Sequence, residues 1–226
     1  MASFSVRETD GMRQVVMGLN DETVRARRGA LQTLRGEVTV FPRLPGPVEF
    51  FRSLFNDEAR IRPEYRGKGT VLLQPSLAGY HLMDIPENES WILEPGVYWA
   101  SEGDVRLGLA RDPIWTSFFI GDGLFNWKTR VTGPGKVALH TPGPVETVDI
   151  TDSVFKAQGR IILGRTSGLR YTTERAARFP RNLISGQRRL RVLRGTGRVL
   201  VCFSPHWNEH LYKLMTGRTV ERSLFE

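Results

Sequence analysis

Apolar and polar residues alternate in short runs along most of this chain. Val71 and Leu73 share one face of an extended segment, as do Val137 and Leu139, and as do Val199, Val201 and Phe203. A spacing of two, bounded by glycine, marks a strand with one buried face. The same pattern predicts strands at Gln14–Met17, Glu37–Phe41, Trp91–Leu93, Val97–Ala100, Val105–Leu109, Lys128–Thr132, Val145–Ile150, Arg160–Leu163 and Arg188–Leu193. Pro42, Pro45 and Pro47 mark a short break after the N-terminal strands. Helical spacing is scarce. Thr172–Arg178 carries a threonine cap and is stopped by Pro180, which predicts about two helical turns. A better helix starts at Ser204 and Pro205 and ends at Gly217, with Trp207, Leu211 and Leu214 on one stripe.

The strand pattern repeats. Gly67-Lys-Gly69-Thr-Val71-Leu-Leu73 recurs as Gly133-Pro-Gly135-Lys-Val137-Ala-Leu139, and again as Gly195-Thr-Gly197-Arg-Val199-Leu-Val201. The first two copies also share flanking phrases. Phe50-Phe51 and Leu54-Phe55-Asn56 precede one; Phe118-Phe119 and Leu124-Phe125-Asn126 precede the other; Asp84-Ile85 and Asp149-Ile150 follow them. The third copy keeps Phe179 and Gly186. Repetition at this period predicts one body made of related β-units. The expected class is all-β, a sandwich or β-helix-like body with a short C-terminal helix. Residues 1–204 form a single domain in this reading, with N-terminal strands over 4–42 and repeats over about 48–112, 113–178 and 179–204. A helix and tail occupy 205–226. Gly67, Gly69, Gly133, Gly135, Gly195 and Gly197 are assigned to structural turns, supplying positive φ or close backbone approach.

Composition adds a charge signal. The formal charge is +8 and the pI about 10.1. A basic surface favours nucleic acid, anionic lipid or an acidic protein. No apolar run approaches the ~20 residues that span a bilayer, and the N-terminus lacks the apolar core of a signal peptide. Cys202 stands alone within a strand-like run, which excludes an internal disulfide and points to an inert core thiol in a reducing cytoplasm.

Few residues suggest chemistry. The glycine pairs lack the third glycine of a dinucleotide fingerprint, and Val137 replaces the Ser or Thr that a P-loop requires. His206-Trp-Asn-Glu209-His210 puts two imidazoles one helical turn apart, a spacing that suits zinc, but the usual downstream ligand is missing. His81 and His140 occupy different places in their repeats. Asp84 and Asp149 recur, which favours a structural role over a catalytic one. The strongest charge feature is Arg188 to Arg198. On a strand, Arg189 and Arg191 would face solvent, with Leu190 and Val192 facing the core. Arg25, Arg27 and Arg28 form a second cluster, and Arg194 and Arg198 extend the first. Rows of this kind either track a phosphate backbone or protect exposed strands from aggregation.

Tyr65-Arg-Gly-Lys-Gly-Thr-Val-Leu-Leu, Gly121-Asp-Gly-Leu-Phe, and Val131-Thr-Gly-Pro-Gly-Lys-Val-Ala-Leu with Val148-Asp-Ile150 resemble the altered-inheritance-of-mitochondria family. The resemblance covers roughly residues 4–204. It implies repeated units similar to the tryptophan RNA-binding attenuation protein and a compact homotrimer. It implies no catalytic residues and no cofactor. Mitochondrial members of that family are linked to inner-membrane organisation. The function expected is therefore a non-enzymatic oligomeric scaffold or binding protein. The alternatives are a ring that binds RNA or DNA through its basic strands, and a metal-dependent hydrolase at His206 and His210.

Overall fold

The computed structural model describes residues 2–42, 62–112, 127–157, 161–176 and 189–204. These residues fold as fourteen strands in chain order: β1 (Ser3–Thr9), β2 (Met12–Ala26), β3 (Leu31–Phe41), β4 (Glu64–Leu73), β5 (Gly79–Ile85), β6 (Ser90–Leu93), β7 (Tyr98–Glu102), β8 (Arg106–Arg111), β9 (Trp127–Thr132), β10 (Gly135–Thr141), β11 (Glu146–Ala157), β12 (Ile162–Thr166), β13 (Arg170–Arg175) and β14 (Arg189–Val201). They form two seven-stranded antiparallel sheets in a sandwich-like body. One sheet runs β3-β4-β2-β7-β10-β5, with β1 on β2; the other runs β11-β14-β12-β6-β9-β8, with β13 on β14.

The pairing displays the repeat as geometry. In each unit the glycine-pair strand lies between two others. β4 lies between β2 and β3. β14 lies between β11 on one edge and β12 and β13 on the other. The middle unit is broken into halves: β10 lies between β5 and β7, and β9 between β6 and β8. Its two halves enter different sheets, so the middle unit joins them. The second glycine of each pair meets the same kind of residue. Gly69 opposes Leu19, Gly135 opposes Ile85, and Gly197 opposes Ile150. Two residues on, Val71, Val137 and Val199 oppose Met17, Met83 and Val148. Grouped by pairing, Ile85 and Ile150 open the second and third units rather than close the first and second. This phase differs from the one the sequence copies suggested.

The glycine pairs are not turns in the outer units. Gly67 and Gly69 lie inside β4, and Gly195 and Gly197 inside β14. Opposite them the partner strand carries a bulge, with Asp21 at φ 70° and Asp152 at φ 42°. An extra residue in one strand bends the ladder, and the facing strand must follow. Gly67 (φ 126°), Gly69 (φ 153°) and Gly195 (φ 115°) supply that bend. A Cβ on Gly67 would overlap the Glu37 carbonyl oxygen. In the middle unit the chain bends instead at Gly133-Pro134, between β9 and β10.

One predicted element changes. Thr172–Arg175, read as the start of a helix, belongs to β13 and pairs with β14. Its β-branched threonines fit a pleated surface, and Tyr171 beside them is buried. The strand β5 was not anticipated, and β1 falls within the general expectation of N-terminal strands over 4–42. The C-terminal helix lies outside the described residues, as do Phe50, Phe118, Gly121, Phe179 and Gly186. Burial divides into three clusters: one around Met17, Tyr65 and Val71; one around Trp91, Val137 and Leu139; and one around Leu193, Val199 and Val201. Each fully buried Val or Leu contributes about 1.5–3 kcal/mol to this core.

Candidate functional site

The candidate arginines do not form one basic surface. Arg191 is 4% exposed, not solvent-facing as the alternation predicted. Arg191, Val192 and Leu193 are successive residues of β14 and all are buried, so the alternation does not hold there. The other arginines mostly meet carboxylates. Arg25 donates from Nε to Glu64 at 3.0 Å, and Arg66 reaches the other Glu64 oxygen at 2.9 Å. Arg194 pairs with Glu174, which also accepts from Lys156 at 2.5 Å. Arg198 pairs with Glu89 and lies over the Trp91 ring at 5.5 Å. Arg28 is exposed, while Arg27 and Arg189 are half-buried. His206 and His210 lie outside the described residues. Among the described residues, no group of three or more His, Cys, Asp or Glu is placed to hold a metal ion.

The most unusual geometry lies where the middle and third units meet. Lys128 on β9 is 1% exposed, and its ammonium sits between Glu94 and Asp112, 2.6 Å from Asp112 Oδ2. Asp112 also pairs with Arg165 on β12, whose guanidinium carbon lies 4.6 Å from the Tyr171 ring centre. Lys128 Nζ lies 5.0 Å from the same ring. Arg191 completes the group, 3.9 Å from Glu94. Burial by itself raises the Asp112 carboxyl, but the two cations outweigh it and hold it below the usual carboxylate range. Residues of β9, β12, β13 and β14 converge here with Glu94 and Asp112, which follow β6 and β8. Arg62, just before β4, reaches Thr129 on β9 at 3.2 Å and stacks on Tyr98 at 4.8 Å. Sequence patterning read Lys128 as an ordinary strand residue and placed Arg165 in no element; only their burial marks them out.

A surface groove of about 630 Å³ lies at the first junction. Arg25, Arg66, Glu22, Glu102 and Asp104 line it beside Gly103 and Gly135. Glu102 Oε2 accepts from the Lys136 amide at 2.7 Å. Its walls mix both signs of charge. A third feature joins residues that the sequence kept apart: His140 on β10 opposes Tyr80 on β5, next to the His81–Leu139 pair. Tyr80, Trp99 and His140 pack with ring centres 5.3–5.7 Å apart. His140 Nε2 lies 3.0 Å from Ser76 Oγ. Burial, then the nearby Arg27 charge, lowers the His140 pKa, and burial pushes the Tyr80 hydroxyl up to about 12.

The architecture is that of an all-β protein built from three tandem related units sharing two sheets. The chain belongs to the family described as mitochondrial biogenesis AIM24, which it matches over residues 4–202. A comparison with curated protein sequences gives no match. The fold is similar to the crystal structure of protein SPYM3_0169 from Streptococcus pyogenes, with TM-score 0.70 and 16% identity. That likeness covers 95% of this chain and 100% of the other. At this identity it speaks to the fold alone.

Proposed function

We propose that this protein is a non-enzymatic oligomeric scaffold or binding protein that works as a trimer in the cytoplasm. The supporting observation is the character of the sheet edges. The outer strands β3 and β11 leave Val40 (38%), Phe41 (47%) and Val154 (44%) exposed. Among the described residues no strand pairs the outer edges of β3 and β11, and apolar side chains on such an edge favour association with another strand. The paired arginines weigh against a ring that tracks nucleic acid. Arg25, Arg194 and Arg198 already hold carboxylates, and a phosphate would have to displace them. The described residues contain no helix long and apolar enough to cross a membrane. An anionic membrane surface remains a partner this reading allows, and liposome flotation tests it.

Sedimentation equilibrium of the purified protein at micromolar concentration tests the central claim. A stable trimer is expected. A clean monomer would remove the scaffold reading.

A further inference from the structure

The connection between β4 and β5 holds a serine in front of a histidine 64 residues away in the chain. Ser76 pairs with Arg13 in an isolated antiparallel bridge. Its amide donates to the Arg13 carbonyl at 2.8 Å, and its carbonyl accepts from the Arg13 amide at 2.9 Å. The Tyr80 hydroxyl closes the same loop, donating to the Gln74 carbonyl at 2.5 Å. With its backbone fixed this way, Ser76 places Oγ 3.0 Å from His140 Nε2, and Oγ also accepts from the Ala78 amide at 3.1 Å. His140 is fixed in turn. Its amide donates to the Val97 carbonyl at 2.8 Å, and its ring packs against Tyr80 and Trp99, with centres 5.4 and 5.3 Å away.

A serine hydroxyl is a weak nucleophile until a base takes its proton. An imidazole nitrogen at hydrogen-bond distance does this when the ring is neutral. Burial, then the Arg27 charge, favours the neutral His140 ring. Tyr80 beside it stays protonated and adds no charge. Two backbone donors near Oγ are already engaged: the Ser76 amide by the Arg13 carbonyl, and the Ala78 amide by Oγ itself. Neither is free to receive the oxyanion of a tetrahedral intermediate. Losing one such donor costs about 10²–10³ in rate. The serine therefore suits acyl donors with good leaving groups and not amides or alkyl esters. Ser76 is half-buried, and its neighbour Leu77 is 78% exposed. Leu77 and the Tyr80 and Trp99 rings offer apolar contact to an acyl chain.

We propose that Ser76 is a covalent acylation site, with His140 as its general base and an activated acyl ester or thioester as the donor. Ser76 Oγ attacks the carbonyl carbon, and its proton passes to His140 Nε2. The tetrahedral intermediate collapses, the bond from that carbon to the leaving oxygen or sulfur breaks, and the leaving group departs with the proton. The products are an acyl ester on Ser76, a free alcohol or thiol, and a neutral His140. The same engaged amides slow hydrolysis of the ester, so each copy reacts once. The site thus goes beyond the binding role proposed above and does not depend on it.

Reaction of the purified full chain with p-nitrophenyl acetate tests it. One equivalent of p-nitrophenol per copy is expected, with the acetyl group mapped to Ser76 by tandem mass spectrometry. Ser153, an exposed serine on β11, is the internal control and should stay unmodified. His140→Gln keeps a polar side chain there without the base, and should slow acetylation of Ser76 by about 10²–10⁴-fold. A purely structural histidine would leave that rate unchanged in a variant whose circular dichroism matches wild type. The wild-type rate should rise with pH to a plateau, with a midpoint below the ordinary histidine value of about 6.5. Acetylation confined to lysines, or Ser76 reacting no faster than Ser153, would overturn the assignment on wild-type protein alone. Equal rates in wild type and a folded His140→Gln would overturn it too. Sustained release beyond one equivalent, lost in His140→Gln, would keep Ser76 as the site and overturn the non-enzymatic reading instead.

Discussion

Replacing Asp112 by asparagine removes the carboxylate from a buried ion cluster without changing its size. Asp112 is 3% exposed and lies between Lys128 and Arg165, which are 1% and 4% exposed. Lys128 keeps Glu94 as a partner, but Arg165 loses the carboxylate it pairs with. Breaking a buried pair by removing one partner costs about 3–5 kcal/mol, mostly because the other charge stays buried. For a chain of this size each kcal/mol lowers Tm by about 2–4 °C, so a fall of roughly 10 °C is expected. Urea denaturation followed by circular dichroism gives the free energy directly, with an unchanged m-value expected. The pH dependence supplies an independent check. Asp112 titrates lower folded than unfolded, so its stabilisation is present above the unfolded carboxyl pKa of about 3.9 and disappears as pH falls through the folded value. Wild type should therefore lose more stability than Asp112→Asn on going from pH 6 to about pH 3. Arg165→Met in the Asp112→Asn background should cost less than it does in wild type, because the uncompensated charge is gone. A loss under about 1 kcal/mol for Asp112→Asn, or acid sensitivity equal to wild type, would refute a buried, ionised cluster.

Three further outcomes follow from named contacts. Gly67→Ala should cost several times as much stability as Gly11→Ala in urea titrations. Both have positive φ, but a Cβ on Gly67 meets the Glu37 backbone whereas one on Gly11 meets nothing within 4 Å. His140 should titrate by NMR below the ordinary histidine value, and the neutral ring's contribution to stability should be lost as pH falls through that lowered pKa; a midpoint at or above about 6.5 would contradict its burial beside Arg27. Labelled single-stranded RNA should show no submicromolar binding by fluorescence anisotropy at low salt, and tight binding with a steep salt slope would revive the nucleic-acid reading despite the paired arginines.

The threefold repetition was legible because strand alternation and glycine pairs are local signals. Val71, Val137 and Val199 share a face in the sequence pattern and oppose equivalent residues in the ladders. Strand lengths were less legible. β2 and β11 run well past their predicted ends because bulges at Asp21 and Asp152 let a bent strand continue where the alternation slips. The phase of the repeat was hidden for a related reason. Ile85 follows one glycine pair closely in sequence, yet it pairs with the next one, about fifty residues on, and only register can show that.

The buried cluster was illegible for a deeper reason. Alternation assigns a side chain to a face but does not say whether that face meets water or another strand. Arg191 follows the rule for a solvent-facing residue on an isolated strand, yet it is buried, 3.9 Å from Glu94 in the cluster around Lys128. Arg165 and Ser101 hold the same place in two successive units, one charged and one neutral. The joints between units therefore share backbone geometry while their buried side chains differ. Sheet pairing fixes how the units assemble, and the side chains at each joint remain free to specialise.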